Sequence, residues 1–129
     1  MTRILLDTHA FLWFVFDDPR LSQKAVKAIS DPKLEKLIGI ASLWEIVIKS
    51  QIGRLKLGTT IETFFRNHVQ ERTVEVIPME IGHLVTYDRL PLLHRDPFDR
   101  VLIAQALSLG VPIVTSDKIF SKYGVRVVW

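Results

Sequence analysis

The sequence predicts a three-layer α/β fold in which a central, mostly parallel sheet of four to five strands lies between helices. Short apolar runs alternate with longer segments of helical periodicity along the chain. A strand, a helix and a further strand in that order form a crossover that places the strands parallel and covers both sheet faces. No linker, repeat or low-complexity stretch interrupts the 129 residues, so we predict one domain over residues 1–129.

The N-terminal part of the chain predicts one strand and two helices. The apolar run RILL at Arg3–Leu6 is typical of a buried strand, which ends at Asp7. Residues 8–16 continue with helical spacing. Ser22 is a typical N-cap residue, so it predicts a second helix over residues 23–29.

The middle of the chain predicts a second strand and two further helices. The strand corresponds to the short run KLIGI at residues 36–40. Ser42 and Glu45 have the spacing of a capping box, which predicts a helix over residues 42–52. Thr60 is the predicted cap of the next helix.

The C-terminal part completes the predicted sheet. Apolar runs predict strands at residues 73–77, 111–114 and 125–129, the last of them at an edge. A helix is predicted over residues 81–89, and another runs from the cap Asp96 to Gly110.

The composition excludes several kinds of site. The chain has no cysteine, which rules out disulfides and thiolate metal sites and is typical of a reducing cytoplasm. The apolar N-terminus is interrupted by Asp7 and His9 and is too short to span a bilayer, so no membrane segment is expected. A formal net charge of +3 is compatible with nucleic acid but does not demonstrate it.

Four acidic residues are predicted to meet at one edge of the sheet. Asp7 and Asp117 each follow a strand, and Glu45 lies near the start of the helix after the second strand. Asp99 lies in the first turn of the helix that leads into the fourth strand. Because ligands collect at the carboxyl ends of parallel strands, we predict that these carboxylates share one site.

Each acid also has a structural explanation, since caps contribute about 1 kcal/mol each to stability. Helix capping alone does not account for four carboxylates at one site, because each pair about 5 Å apart repels by about 3 kcal/mol at an effective dielectric constant of about 20. Either some acids are protonated or a cation lies among them. An all-oxygen ligand set suits Mg²⁺ or Mn²⁺, and the four histidines show no zinc-binding spacing.

A carboxylate-held Mg²⁺ or Mn²⁺ ion favours metal-assisted hydrolysis of phosphodiester bonds, with the four acids as both catalytic residues and metal ligands. The sequence has no phosphate-binding glycine loop, serine-nucleophile elbow or cysteine that would favour another route. Weaker candidates for contacts around the metal or the substrate are Thr8, Asp96, Arg100 and Ser116. Asp96 is assigned mainly to capping the helix that carries Asp99.

Four segments of the chain resemble a known family. They are LLDTHAFLW, SLWEIVIK, LHRDPFDRVLIAQA and IVTSD, in that order. Together they resemble the PIN-domain ribonucleases, specifically the VapC-type toxins of bacterial type II toxin–antitoxin pairs. The resemblance runs from Ile4 to Trp129. It implies a PIN fold and a Mg²⁺- or Mn²⁺-dependent endoribonuclease, in which Asp7, Glu45, Asp99 and Asp117 match the family's acids in order.

The resemblance also implies partners: an RNA substrate, a cognate antitoxin protein that blocks the site, and a second copy in a homodimer. Other functions stay open at this point. A noncatalytic RNA- or protein-binding domain would use the acids only as caps, and a housekeeping RNA-processing nuclease would use the same site. A magnesium-dependent phosphatase is disfavoured, because Asp7-Thr8-His9 lacks the second aspartate which that chemistry requires.

Overall fold

The computed structural model describes residues 2–129 and contains a five-stranded sheet with helices on both faces. The strands are β1 Arg3–Leu6, β2 Glu35–Gly39, β3 Val74–Ile77, β4 Ile113–Val114 and β5 Val127–Val128. They lie in the order β3-β2-β1-β4-β5, and every pairing is parallel. The predicted three-layer α/β fold is confirmed, with β5 at an edge and a sheet that is wholly parallel.

Six helices connect these strands: α1 Thr8–Val15, α2 Gln23–Ser30, α3 Ile40–Gln51, α4 Ile61–Phe65, α5 Ile81–Arg89 and α6 Pro97–Leu109. A π-helical turn extends α4, and a 3₁₀ turn precedes β5. The side chains of Ser22, Thr60 and Asp96 accept first-turn backbone N–H groups, as their N-cap pattern predicts. None of the helices within residues 2–129 is long and apolar enough to cross a membrane.

The predicted start of α3 is wrong. The helix begins at Ile40, directly after β2, and Gly39 is its N-cap, so Ser42 lies inside the first turn. The Ser42 hydroxyl is buried and has no hydrogen-bond partner in the described part of the chain. Glu45 therefore lies in the second turn. Gly39 packs closely against α6, since a Cβ there would lie 2.9 Å from Gln105 Oε1.

Alternate residues of β1 face two separate apolar clusters. Ile4 and Leu6 pack with α1 to α4, whereas Leu5 packs with α6 on the opposite face. All three side chains are at most 1% exposed. Because β1 pairs with β2 on one side and β4 on the other, the residue that follows β1 lies in the middle of the sheet's carboxyl edge.

Candidate active site

A cleft of about 450 Å³ opens at the carboxyl edge of the sheet. It is lined by Asp7, Thr8, His9, Trp13, Arg20, Glu45, Lys49, Asp96, Asp99, Ser116, Asp117 and Phe120. The structure thus brings the four predicted acids together, and the weaker candidate Asp96 lines the same cleft. Of the weaker candidates, Thr8 and Ser116 also line the cleft, and Arg100 does not.

Asp7 serves both the fold and the cleft. It follows β1, and its Oδ1 accepts the backbone N–H of Ala10 at 2.6 Å, so it is the N-cap of α1. The pKa of Asp7 is raised above its ordinary value, chiefly by burial and also by the charge of Asp117. Hydrogen bonds from the Thr115 side chain and the Ala10 N–H lower it by less. The structural and functional explanations of this acid are therefore compatible, because the cap fixes the carboxylate within the cleft.

Thr115 connects two of the acids. Its side chain is fully buried, and its Oγ1 accepts the Asp117 backbone N–H at 3.1 Å. The same hydroxyl bonds to Asp7 and lowers the pKa of that carboxyl. Since a hydroxyl is both donor and acceptor, Thr115 positions the residues after β4 relative to the residue after β1.

Asp99 projects from the first turn of α6. Asp96 caps this helix, with Oδ1 accepting the N–H groups of Phe98 at 2.9 Å and Asp99 at 3.1 Å. Burial raises the pKa of Asp99 to about 6; the charges of Asp96 and Asp117 also raise it, and a hydrogen bond with His94 lowers it. A cation beside Asp99 would reverse this shift by favouring the carboxylate.

Glu45 enters the cleft from α3 and forms an ion pair with Lys49 one turn later, with 3.2 Å between Lys49 Nζ and Glu45 Oε2. Lys49 therefore offsets the negative charge of Glu45 within the cleft.

The model of the PIN domain matches residues 4–125 of this sequence. The chain belongs to the PIN-domain family. Ribonuclease VapC22 of Mycobacterium tuberculosis is 29% identical over 120 residues, which cover 92% of this chain and 89% of that protein. The family-level resemblance predicted from the sequence is confirmed.

Solved structures share the fold of this PIN domain. The structure of VapBC2 from Rickettsia felis bound to a DNA fragment from their promoter aligns with a TM-score of 0.70 at 13% identity, covering 98% of this chain and 97% of that one. The structure of VapBC-1 from nontypeable Haemophilus influenzae aligns with a TM-score of 0.68 at 16% identity, covering 98% and 96%.

In this PIN domain, a chain of hydrogen bonds connects Asp99 to residues behind the cleft. His94 Nε2 lies 3.2 Å from Asp99 Oδ2, and His94 Nδ1 lies 2.7 Å from the Tyr123 hydroxyl. The same hydroxyl accepts from Arg100 Nη1 at 3.1 Å and from the backbone N–H of His94 at 3.2 Å. Local sequence patterns do not indicate this role for His94, because its partner Tyr123 is 29 residues away.

The Tyr123 hydroxyl determines the tautomer of His94. The two donated bonds occupy both of its acceptor positions, so its own proton is donated to His94 Nδ1. A neutral imidazole that accepts at Nδ1 carries its proton on Nε2. His94 therefore donates to the Asp99 carboxylate and restrains its direction.

Arg100, a weaker candidate for a contact around the metal or the substrate, lies behind the cleft and does not line it. The residue is 3% exposed, and its guanidinium donates to the Pro91 carbonyl at 2.8 Å. It also lies over the Tyr87 ring at 5.0 Å from the centroid. Its connection with the site is indirect, through Tyr123.

The donor set of the PIN domain's cleft fits a hard divalent cation. The available ligands are carboxylate oxygens, with the buried Thr8 Oγ1 beside them lacking a hydrogen-bond partner within residues 2–129. In the same part of the chain, no three histidine, aspartate or glutamate side chains form a ready metal-binding group as they stand. An ion held here would complete its coordination with water, as Mg²⁺ usually does in proteins.

We expect His94→Ala to raise the Mg²⁺ concentration needed for half-maximal activity by about tenfold, because partners of metal ligands typically contribute this much. His94→Gln retains an N–H donor and is expected to recover part of the loss. Metal titrations of RNA cleavage measure both effects. His68→Ala, in the π-helical turn after α4, is the control, and an equal effect there would contradict the positioning role.

Proposed function

We propose that this PIN domain is the toxin of a type II toxin–antitoxin pair and an endoribonuclease that uses Mg²⁺ or Mn²⁺. The observation that supports the enzymatic part is the cleft where Asp7, Asp99 and Asp117 meet. Burial and neighbouring carboxylates raise the pKa values of Asp7 and Asp99, so the free energy of this cluster falls when a cation enters.

A bound Mg²⁺ or Mn²⁺ ion supplies polarisation of the phosphodiester and activation of water for its hydrolysis. The carboxylates of Asp7, Glu45, Asp99 and Asp117 would hold the cation. Thr8 and Ser116 offer hydroxyls that could orient water or a phosphate oxygen. His94 restrains the direction of the Asp99 carboxylate.

The proposed partners follow from the relatives. One relative is named a ribonuclease, and solved structures with this fold include VapBC complexes. We propose on this basis that the chain binds RNA and a cognate antitoxin that covers the cleft. The resemblance of the sequence to VapC-type toxins also implies a second copy of the chain, and the absence of cysteine is typical of the cytoplasm.

The decisive experiment is cleavage of end-labelled RNA by the purified protein. We expect cleavage within the strand in the presence of Mg²⁺ or Mn²⁺, and a return to background after addition of a chelator. Cleavage that persists unchanged with the chelator, or that neither metal supports, would refute the proposal.

Inducible expression separates the toxin role from housekeeping RNA processing. We expect growth arrest that is relieved by co-expression of a small protein encoded beside this gene. Continued normal growth, together with metal-dependent cleavage in vitro, would instead favour RNA processing.

A further inference from the structure

A second groove of about 390 Å³ adjoins the acidic cleft. Four residues line both spaces, namely His9, Trp13, Arg20 and Lys49. Arg54 lies further along the second groove. The two spaces are therefore continuous, and we call the second one the basic groove.

We propose that the basic groove binds the single-stranded RNA segment next to the phosphate that is cleaved. This inference rests on the proposed nuclease function and adds to it a site for the flanking nucleotides. It assigns Trp13, Arg20 and Arg54 to substrate binding.

Charge changes sign between the two spaces. Arg20 and Lys49 line both spaces; the acidic cleft adds five carboxylates, whereas the basic groove adds the cation Arg54 and one acid, Asp18. A phosphate in the cleft needs a cation to bridge it, but phosphates in the groove can pair directly with the protein. A polyanion with one phosphate in the cleft therefore has favourable contacts for its neighbouring phosphates in the basic groove.

Arg20 is held in a position suited to phosphate. Its Nε and Nη2 bond to the Asp18 carboxylate, at 3.1 Å and 2.8 Å for the shortest contacts. Its Cζ lies 4.7 Å from the Trp13 ring centroid. These contacts leave Nη1 without a hydrogen-bond partner in the described chain, so the guanidinium keeps a donor group that a phosphate oxygen can accept.

The groove also offers a surface for bases. The rings of His9 and Trp13, which line both spaces, have centroids 5.8 Å apart. Single-stranded nucleic acids bind where cationic side chains follow the backbone and aromatic rings accept bases. An acidic protein segment would use the cations but would not need these two rings, so the combination favours RNA.

Binding measured without cleavage tests the proposal. The probe is a fluorescent, mixed-sequence single-stranded RNA, and anisotropy is measured on Asp7→Asn protein in Mg²⁺ so that the strand stays intact. We expect Arg54→Glu in this background to weaken binding by about tenfold and to reduce the salt dependence by about one phosphate contact. We expect Trp13→Leu to weaken binding by about tenfold through lost stacking.

Arg89→Glu is the matched control, because Arg89 is an exposed residue of α5, on the other face of the sheet, and the charge change is identical. It should leave affinity within about twofold. Equal losses for Arg54→Glu and Arg89→Glu would show that net charge alone governs binding and would overturn the proposal. Unchanged affinity in both Arg54→Glu and Trp13→Leu would also overturn it.

The exposed position of Arg54 keeps the test valid even if Trp13→Leu fails to fold. Metal-dependent cleavage by wild-type protein, measured in parallel, distinguishes failure of this inference from failure of the nuclease proposal. Groove variants that bind RNA normally but lose a co-expressed protein partner would assign the groove to that partner and refute RNA binding there.

Discussion

Asp99→Asn is expected to lower the rate of RNA cleavage in saturating Mg²⁺ by at least about 1000-fold, since a metal ion stabilises the transition state by several kcal/mol. Asparagine keeps the shape of the side chain and removes the charge that holds the ion. The Asp99 carboxylate is not the cap of α6, so the helix should form normally in this variant. Initial rates on end-labelled RNA measure the loss.

Asp96→Asn is the matched control, because it makes the same chemical change in the same cleft, three residues earlier. Asparagine is as good an N-cap as aspartate, so the start of α6 should persist. We expect Asp96→Asn to retain activity within about tenfold. Equal losses in both variants would make Asp96 a ligand as well, and full activity in Asp99→Asn would remove Asp99 from the metal site.

The positions of the main acids could be predicted from the sequence because they depend on local order along the chain. Asp7 follows an apolar strand directly, and Asp99 follows a helix start marked by Asp96 and Pro97. The parallel sheet then requires these ends to meet. This reasoning needs only the strand sequence and the crossover rule, and small errors in element boundaries do not disturb it.

The misplaced start of α3 shows where local signals fail. Ser42 has a capping pattern, but β2 runs directly into the helix at Ile40, where Gly39 packs against Gln105 of α6. The tertiary contact determines the boundary. Local sequence patterns do not indicate this contact, because Gly39 and Gln105 are far apart along the chain.

The network behind Asp99 was missed for a related reason. His94 acquires its role only through Tyr123, which a distant 3₁₀ turn supplies. The burial of Arg100 was not readable from helical spacing either, because Asp99 has the same spacing to the buried Leu102 and Ile103 and yet lines the cleft.

Mg²⁺ is expected to stabilise the wild-type protein in a pH-dependent manner, with little effect on Asp99→Asn. In the absence of metal, the pKa of Asp99 is about 6 in the fold against an ordinary value of 3.8. The folded protein thus holds this proton more tightly than the unfolded chain does, and ionisation of Asp99 destabilises the fold as pH rises between these values. The pKa of Asp7 is also raised in the fold.

At about pH 8 without metal, Asp99→Asn should therefore melt about 4 °C higher than the wild type, because it removes carboxylate repulsion and desolvation that contribute about 1 kcal/mol once solvent screening of this partly exposed group is included. At about pH 4 the two proteins should differ little, since Asp99 is then protonated in the fold. Thermal melts at both pH values, recorded with a chelator, measure the difference. A lower melting temperature for the variant at the higher pH would contradict the raised pKa.

Mg²⁺ at about 100 times its dissociation constant adds about 2.7 kcal/mol to wild-type stability, or about 10 °C in melting temperature, at about pH 8. Below about pH 6 protons compete for the carboxylates, so this gain should shrink as pH falls. Asp99→Asn should show little gain at either pH, which reverses the order of the two melting temperatures when metal is added. That reversal requires the Asp99 carboxylate to destabilise the fold without the cation and to stabilise it with the cation. An equal Mg²⁺ effect on both proteins would place the ion away from Asp99.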